Sequence, residues 1–192
     1  VAIKYGAKVI MTSKHHRNGT ERICEAFKKI GNNNKYKFVI DVQGDEPLIS
    51  PNHIDKVVEF HEKNLDADIV LPSLKVKPTN NTNLVKLVSN SKNEVMYISR
   101  ANIPYEFKNK SKNLKKHLSI ISFKPQALIM YGKSRLSEIE KIEDIELLRA
   151  LDIGLKIKNL NLKGDSFSVD VFEDYSKAQI KIKKDKYFKF YK

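Results

Sequence analysis

One cysteine in 192 residues, Cys24, leaves no internal disulfide to form and reads as a small buried hydrophobe rather than a nucleophile. No run of about 18 apolar residues occurs, so no helical membrane span is expected, and the N-terminus lacks the apolar block of a secretory signal. Together these absences point to the cytoplasm. The Gly-x-x-x-x-Gly-Lys-Ser/Thr loop and the Gly-x-Gly-x-x-Gly fingerprint are missing too, so the common ATP and dinucleotide folds gain no support. No Cys/His cluster has zinc spacing: His15 and His16 are adjacent, point apart, and read as surface residues. Arginine is scarce, five against thirty-one lysines. The formal charge of +13 suits an anionic partner, but dispersed lysine reads as a solvated surface, and no nucleic-acid partner is expected.

What is present suffices for one domain. With 41% hydrophobic and 31% charged residues the chain can bury a core. Residues 1–180 read as a single domain and 181–192 as a basic, aromatic tail. Two readings fit that tail: contact with nucleic acid or lipid, and a terminal helix packing its aromatic face on the domain. The most informative stretch is Phe38-Val39-Ile40-Asp41-Val42-Gln43-Gly44-Asp45-Glu46-Pro47. Its apolar, β-branched start reads as a strand buried in a parallel sheet, which the glycine, two acids and proline then end. Ligands of open α/β sheets bind at that carboxyl edge, where Asp45 is placed to hold a divalent cation bridging phosphates; an acidic surface turn is the other reading.

The remaining elements alternate. Val1 to Lys8 reads as a helix end leading into a short strand, Val9-Ile10-Met11. Asn18 caps a helix with Glu21 three residues on and Ile23, Ala26, Phe27 and Ile30 at helical spacing, ended by the Asn32-Asn33-Asn34 run. Ser50-Pro51 opens another helix, and Asp68 to Pro72 forms a strand. Strands over Leu84 to Val88 and Glu94 to Ser99 flank a turn, Lys108 to Lys116 belongs to a long excursion, and Leu118 to Phe123 returns to strand. Ser137 with Glu140 makes a capping box for a helix of about four turns ending before Gly154. Lys156 to Leu160 is a strand, Val169-Asp170 a second acidic strand end, and Glu173 onward helical. Two aspartates at strand ends, Asp45 and Asp170, suit nucleotidyl transfer, where divalent metal screens a triphosphate.

The blocks Asn18-Gly19-Thr20-Glu21-Arg22, Val42-Gln43-Gly44-Asp45-Glu46-Pro47, Val85-Lys86-Leu87-Val88, Tyr97-Ile98-Ser99-Arg100-Ala101-Asn102-Ile103-Pro104-Tyr105, Lys116-His117-Leu118, Glu143-Asp144-Ile145-Glu146-Leu147-Leu148-Arg149 and Val169-Asp170-Val171-Phe172-Glu173-Asp174 carry a resemblance. Their order and spacing are similar to those of 3-deoxy-manno-octulosonate cytidylyltransferase, also called CMP-Kdo synthetase. The likeness runs from Val1 to about Ala178, and the joint occurrence of the blocks is far more specific than any one of them.

The resemblance implies a nucleotide-diphosphosugar transferase-like three-layer α/β/α sandwich with a mixed, mostly parallel sheet. It implies transfer of CMP from CTP to the eight-carbon acidic sugar Kdo, with release of pyrophosphate, for lipopolysaccharide biosynthesis. It implies a homodimer with Ile103-Pro104 near the partner. Gly19, Thr20, Arg22 and Gln43 would line the nucleotide site, Asp45 and Asp170 would hold Mg2+, and Arg100, His117 and Glu146 would face the sugar acid. Arg100 would meet its carboxylate, since a planar guanidinium suits that geometry. The family's N-terminal strand and its triphosphate-gripping basic loop have no counterpart in these residues, as if roughly fifty residues or two βα units were lost. The chain also carries Asn18 where the family usually has serine, a side chain that still hydrogen-bonds, and Ser119 and Leu147 where it usually has glycine and glutamine, so the acceptor pocket is expected to differ. An amino-Kdo or sialic-type acceptor, and a non-catalytic basic fragment binding anionic polymers, are the competing readings.

Overall fold

The computed structural model describes residues 1–31, 35–164, 166–169 and 171–190. Among the described residues seven strands form one sheet in the order β1-β6-β2-β5-β3-β4, with β7 on β2. The strands are β1 (Val39–Val42), β2 (Ile69–Val76), β3 (Lys86–Ser89), β4 (Val95–Ser99), β5 (Leu114–His117), β6 (Ile120–Phe123) and β7 (Ile157–Asn161). The helices are α1 (Gly19–Ile30), α2 (Pro51–Lys63), α3 (Pro125–Lys133), α4 (Glu138–Glu143), α5 (Leu147–Asp152) and α6 (Phe172–Ile182).

The expected mostly parallel sheet is wrong. Among the described residues only β2 and β7 pair in parallel, while β1–β6, β2–β5, β2–β6, β3–β4 and β3–β5 are antiparallel. The cause is an insertion. The run β1-α2-β2 has the look of a parallel crossover unit, but β6 lies between its two strands and is antiparallel to both. Parallel neighbours need a long crossover, and the one such pair, β2 and β7, has helices α3 to α5 in its connection.

Alternation along β2 feeds two apolar clusters. Ile69 and Leu71 join Ile121, Phe123 and Ile157 beneath α1, α3 and α5, whereas Val70 and Leu74 join Ile120 and Val57 of α2 on the other face. The buried His61 ties α2 to the sheet: its Nε2 donates to the Ala67 carbonyl at 3.2 Å, and its Nδ1 accepts from the Ser122 hydroxyl at 2.6 Å. Burial lowers its pKa, which keeps the ring neutral in this role.

Other boundaries differ from the sequence expectation. Val9-Ile10-Met11 is no strand; Met11 is 79% exposed, and an extended segment with no ladder partner is not sheet. Asn18 caps α1 as expected, its Oδ1 accepting from the Glu21 N–H at 2.9 Å, but the helix already ends at Gly31, whose φ of 69° suits a residue without a side chain. Asn32-Asn33-Asn34 lies outside the described residues. The single four-turn helix is two. α4 stops at Asp144, whose φ of 51° departs from the helix, and α5 restarts after Glu146. The lysine-rich excursion ends in β5, paired to both β2 and β3.

One buried ion network locks the helical layer. Arg149, 1% exposed, donates from Nε and Nη2 to the two Glu140 oxygens at 2.6 and 2.7 Å, and from Nη1 to Glu21 at 2.8 Å. Its guanidinium stacks 4.5 Å from the Tyr131 ring. Arg149→Ala is expected to cost about 3–5 kcal/mol, because it strands the Glu140 carboxylate in the core. Urea unfolding of this variant beside Arg149→Met/Glu140→Met checks it: the double variant should be more stable than Arg149→Ala.

Candidate active site

Where β1 ends, the chain turns out of the sheet and a polar cavity of about 630 Å³ opens against the N-terminus of α1, the β5–β6 turn and the α4–α5 junction. Six of the sequence-nominated residues line it: Gly19, Gln43, Asp45, Arg100, His117 and Glu146. A second cavity of about 440 Å³ shares Gly19, Gln43 and Asp45 with the first and adds Arg22 and Asp41. Thr20 is fully buried behind this shared rim. Asp170 lies outside the described residues. The chain just before it is anchored at the site, since the Val169 N–H donates to the Asp45 carbonyl at 2.8 Å.

The left-handed Asp144 turns the chain so that Glu146 enters the site at the start of α5. Its Oε2 accepts from the Thr20 N–H at 2.9 Å, and its Oε1 lies 3.4 Å from the Gln43 amide nitrogen. A carboxylate there satisfies an orphan donor of α1 and sits at the positive end of that helix. Burial nevertheless raises its pKa, opposed by the Thr20 contact. Asn18 fixes the same helix end from the other side, donating to the Tyr131 hydroxyl at 2.8 Å and to Glu140 at 3.0 Å.

His117 lies at the end of β5 with Nδ1 2.9 Å from the Leu118 carbonyl. A carbonyl only accepts, so Nδ1 carries the proton and Nε2 is left as an acceptor. Burial pushes its pKa down to about 4; the ring is neutral at pH 7 and offers an acceptor to a ligand hydroxyl. Arg100, just past β4, donates to the carbonyls of Glu143 at 2.7 Å, Asp144 at 2.9 Å and Thr82 at 3.2 Å. Of five guanidinium N–H groups, three bonds to backbone leave two for a ligand. Lys86, fully buried, donates to the Arg100 carbonyl from below. Lys116 adds a second cation to the cavity wall and donates to the Ser166 hydroxyl at 2.6 Å.

Acids dominate the opposite side. Asp41, 5% exposed, has a carboxyl oxygen with no hydrogen-bond partner among the described residues. Its pKa is pushed up to about 7, first by burial and then by the charges of Glu146 and Asp45. Excess negative charge is a setting that a cation relieves. Among the described residues no group of three potential ligands forms a complete metal site. The donors present fit a hard cation such as Mg2+, which keeps several waters and takes one or two carboxylates besides phosphate oxygens.

The cytidylyltransferase family pattern matches residues 1–157. The chain belongs to the cytidylyltransferase family. It is 38% identical over 177 residues to the 3-deoxy-manno-octulosonate cytidylyltransferase of Fusobacterium nucleatum, covering 90% of this chain and 70% of that one. It is 37% identical over 183 residues to the Zea mays enzyme of the same name, covering 91% of this chain and 60% of the relative. The chain thus spans 60 to 70% of the length of these two relatives. Its fold is that of a structure described as CMP:2-keto-3-deoxy-manno-octonic acid synthetase complexed with CTP, at a TM-score of 0.86 and 24% identity over 95% of this chain and 75% of that one.

Three features of this cytidylyltransferase site escaped the sequence reading. Leu147, expected in the acceptor pocket, is 1% exposed and belongs to the core beneath α1 and α3. In the sequence Asp41 and Glu46 read as part of a strand and its turn, although period-2 alternation places Asp41 on the same side of β1 as Gln43. No helix among the described residues is long and apolar enough to cross a membrane.

The Asp41 shift has a measurable sign. Its folded pKa exceeds the 3.8 of the free group, so the folded state holds the extra proton between about pH 4 and 7, and stability falls as pH rises through that window. Asp41→Asn mimics the protonated acid. In metal-free buffer it should match wild type near pH 4 and be more stable at pH 8, by at most about 4 kcal/mol. Urea titrations at both pH values decide it; equal stability at pH 8 contradicts the burial argument.

Proposed function

We propose that this protein transfers CMP from CTP to 3-deoxy-manno-octulosonate, giving CMP-Kdo and pyrophosphate. The observation that carries this is the convergence of Gly19, Gln43, Asp45, Arg100, His117 and Glu146 on one cavity, which a second cavity meets at Gly19, Gln43 and Asp45. Two substrates that exchange a phosphoryl group need adjoining sites. The larger cavity, walled by Arg100, Lys116 and His117, suits an acidic sugar: the free guanidinium N–H groups face its carboxylate and Nε2 of His117 accepts from a hydroxyl. The smaller one, with Arg22, suits the nucleotide.

In the reaction the anomeric hydroxyl oxygen forms a bond to the α-phosphorus and gives up its proton to water, the bond from that phosphorus to the bridging oxygen breaks, and pyrophosphate leaves with the electron pair. A histidine with a pKa of about 4 orients the acceptor hydroxyl but is a weak base at pH 7. Asp45 and Asp170 would hold Mg2+, which when bound screens the triphosphate and stabilises charge on the departing pyrophosphate. A homodimer completes the reading; Tyr105 and Phe107, 85 and 86% exposed beside Ile103-Pro104, support it.

The test is pyrophosphate release from CTP, measured with and without Mg2+ and Kdo. Release should need all three, and Asp45→Asn should keep the melting temperature while lowering turnover by about a hundredfold or more. Unimpaired turnover in Asp45→Asn removes that residue from the metal. His117→Gln should raise the KM for Kdo by about tenfold and leave the KM for CTP unchanged. Kdo and its 8-amino analogue, compared as acceptors, separate the two sugar readings. A chain that binds anionic polymers but releases no pyrophosphate overturns the enzyme reading.

A further inference from the structure

Glu46 follows Asp45 and is 4% exposed on the wall of the larger cavity. Its Oε1 accepts from the Ser119 hydroxyl at 2.9 Å and from the Ser168 hydroxyl at 3.3 Å. Its Oε2 is buried with no hydrogen-bond partner among the described residues. One side chain thus joins three segments that are far apart in sequence: the loop after β1, the β5–β6 turn two residues beyond His117, and the stretch leading to Asp170.

Beside that side chain, single backbone bonds link the same pieces. The Gln43 N–H donates to the Ser119 carbonyl at 3.1 Å, and the Val169 N–H donates to the Asp45 carbonyl at 2.8 Å. A single bond at the rim of a cavity opens readily, and it becomes a fixed distance when a second, buried tie closes the ring. A buried carboxyl with one oxygen unpaired is a poor stabiliser, since an apolar side chain of similar volume would avoid the desolvation cost. Its geometry has another use.

We propose that Glu46 is a positioning residue for the transfer reaction, clamping the metal-side Asp45 loop and the 166–169 segment to the turn that carries His117. The inference rests on the functional reading above and assigns a residue which that reading leaves idle. The clamp works through an acceptor oxygen, so the side-chain amide introduced by Glu46→Gln would serve in place of the acid. Its loss would let the two halves of the site drift, and a misplacement of about 1 Å costs on the order of a hundredfold in turnover.

The experiment compares wild type, Glu46→Ala and Glu46→Gln by amide hydrogen exchange, melting temperature and pyrophosphate release. In Glu46→Ala the Val169 amide should exchange at least about tenfold faster while β2 amides are unchanged. Turnover should fall by about 30- to 100-fold with no drop in melting temperature, and Glu46→Gln should restore both readouts. If Glu46→Ala does not fold, Ser119→Ala/Ser168→Ala removes both donors, leaves the acid in place, and should loosen Val169 equally. Wild-type protection of Val169 in the folded variant without the clamp overturns the proposal, as does turnover that falls only in step with stability. Absence of pyrophosphate release in wild type fails the functional reading instead, and the exchange data then still decide whether the clamp exists.

Discussion

The bidentate pair between Arg149 and Glu140, extended to Glu21, Asn18 and Tyr131, is what the site depends on. It joins α1, α3, α4 and α5 at one point, and three of those helices contribute to the cavity or its rim. A salt bridge this deep is a weak source of net stability, because removing both charges from water costs about as much as their attraction returns. Its value is geometric. Bonds from two edges of a planar guanidinium fix orientation as well as distance, and that holds the α1 N-terminus where Glu146 can reach the Thr20 N–H.

From that anchor the division of charge in the site follows. The helix end, capped by Asn18 and Glu146, has its own orphan donors largely satisfied from within the protein, so an anionic ligand must find its charge partners elsewhere. They stand on the far wall, where Arg100 comes from the end of β4 and Lys116 from β5. The Arg100 backbone N–H donates to the Glu143 carboxylate at 3.0 Å, but its guanidinium is held by carbonyls, and among the described residues its paired acid, Asp144, stays 3.8 Å away. A cation fixed by neutral acceptors keeps its charge for a ligand, which an Arg–carboxylate pair would not.

Much of this was legible in the sequence, and the failures share a cause. The Asn18 cap, the strand ending at Gln43-Gly44-Asp45, and the grouping of Gly19, Arg100, His117 and Glu146 are local or motif-level signals, and each survives in the structure as a neighbour of the cavity. Sheet direction is not local. Nothing between Phe38 and Pro72 reveals that Ile120 to Phe123 will insert between the two strands. The break at Asp144 is hidden because the apolar spacing of Ile139, Ile142 and Ile145 runs through it, whereas Asp144 ends α4 in the left-handed conformation with its N–H donating to the Glu140 carbonyl at 2.8 Å. Leu147 shows the hazard of carrying a position across: the residue beside a site residue on a helix points about 100° away, here into the core.

The acids remain as an unbalanced cost. Asp41 and Glu46 each bury a carboxyl oxygen with no partner among the described residues, and Asp41 feels both Glu146 and Asp45. A fold optimised only for stability would replace both with amides or apolar residues. Retaining them leaves a pocket whose negative side is under-neutralised when empty, and any ligand that brings positive charge gains from relieving it. Binding to the folded state alone then stabilises that state by mass action. The same electrostatic deficit that weakens the free protein therefore favours the cation-bearing complex, and the ladder position of Asp41 in β1 and the Ser119 and Ser168 bonds to Glu46 keep the acids from turning outward to water.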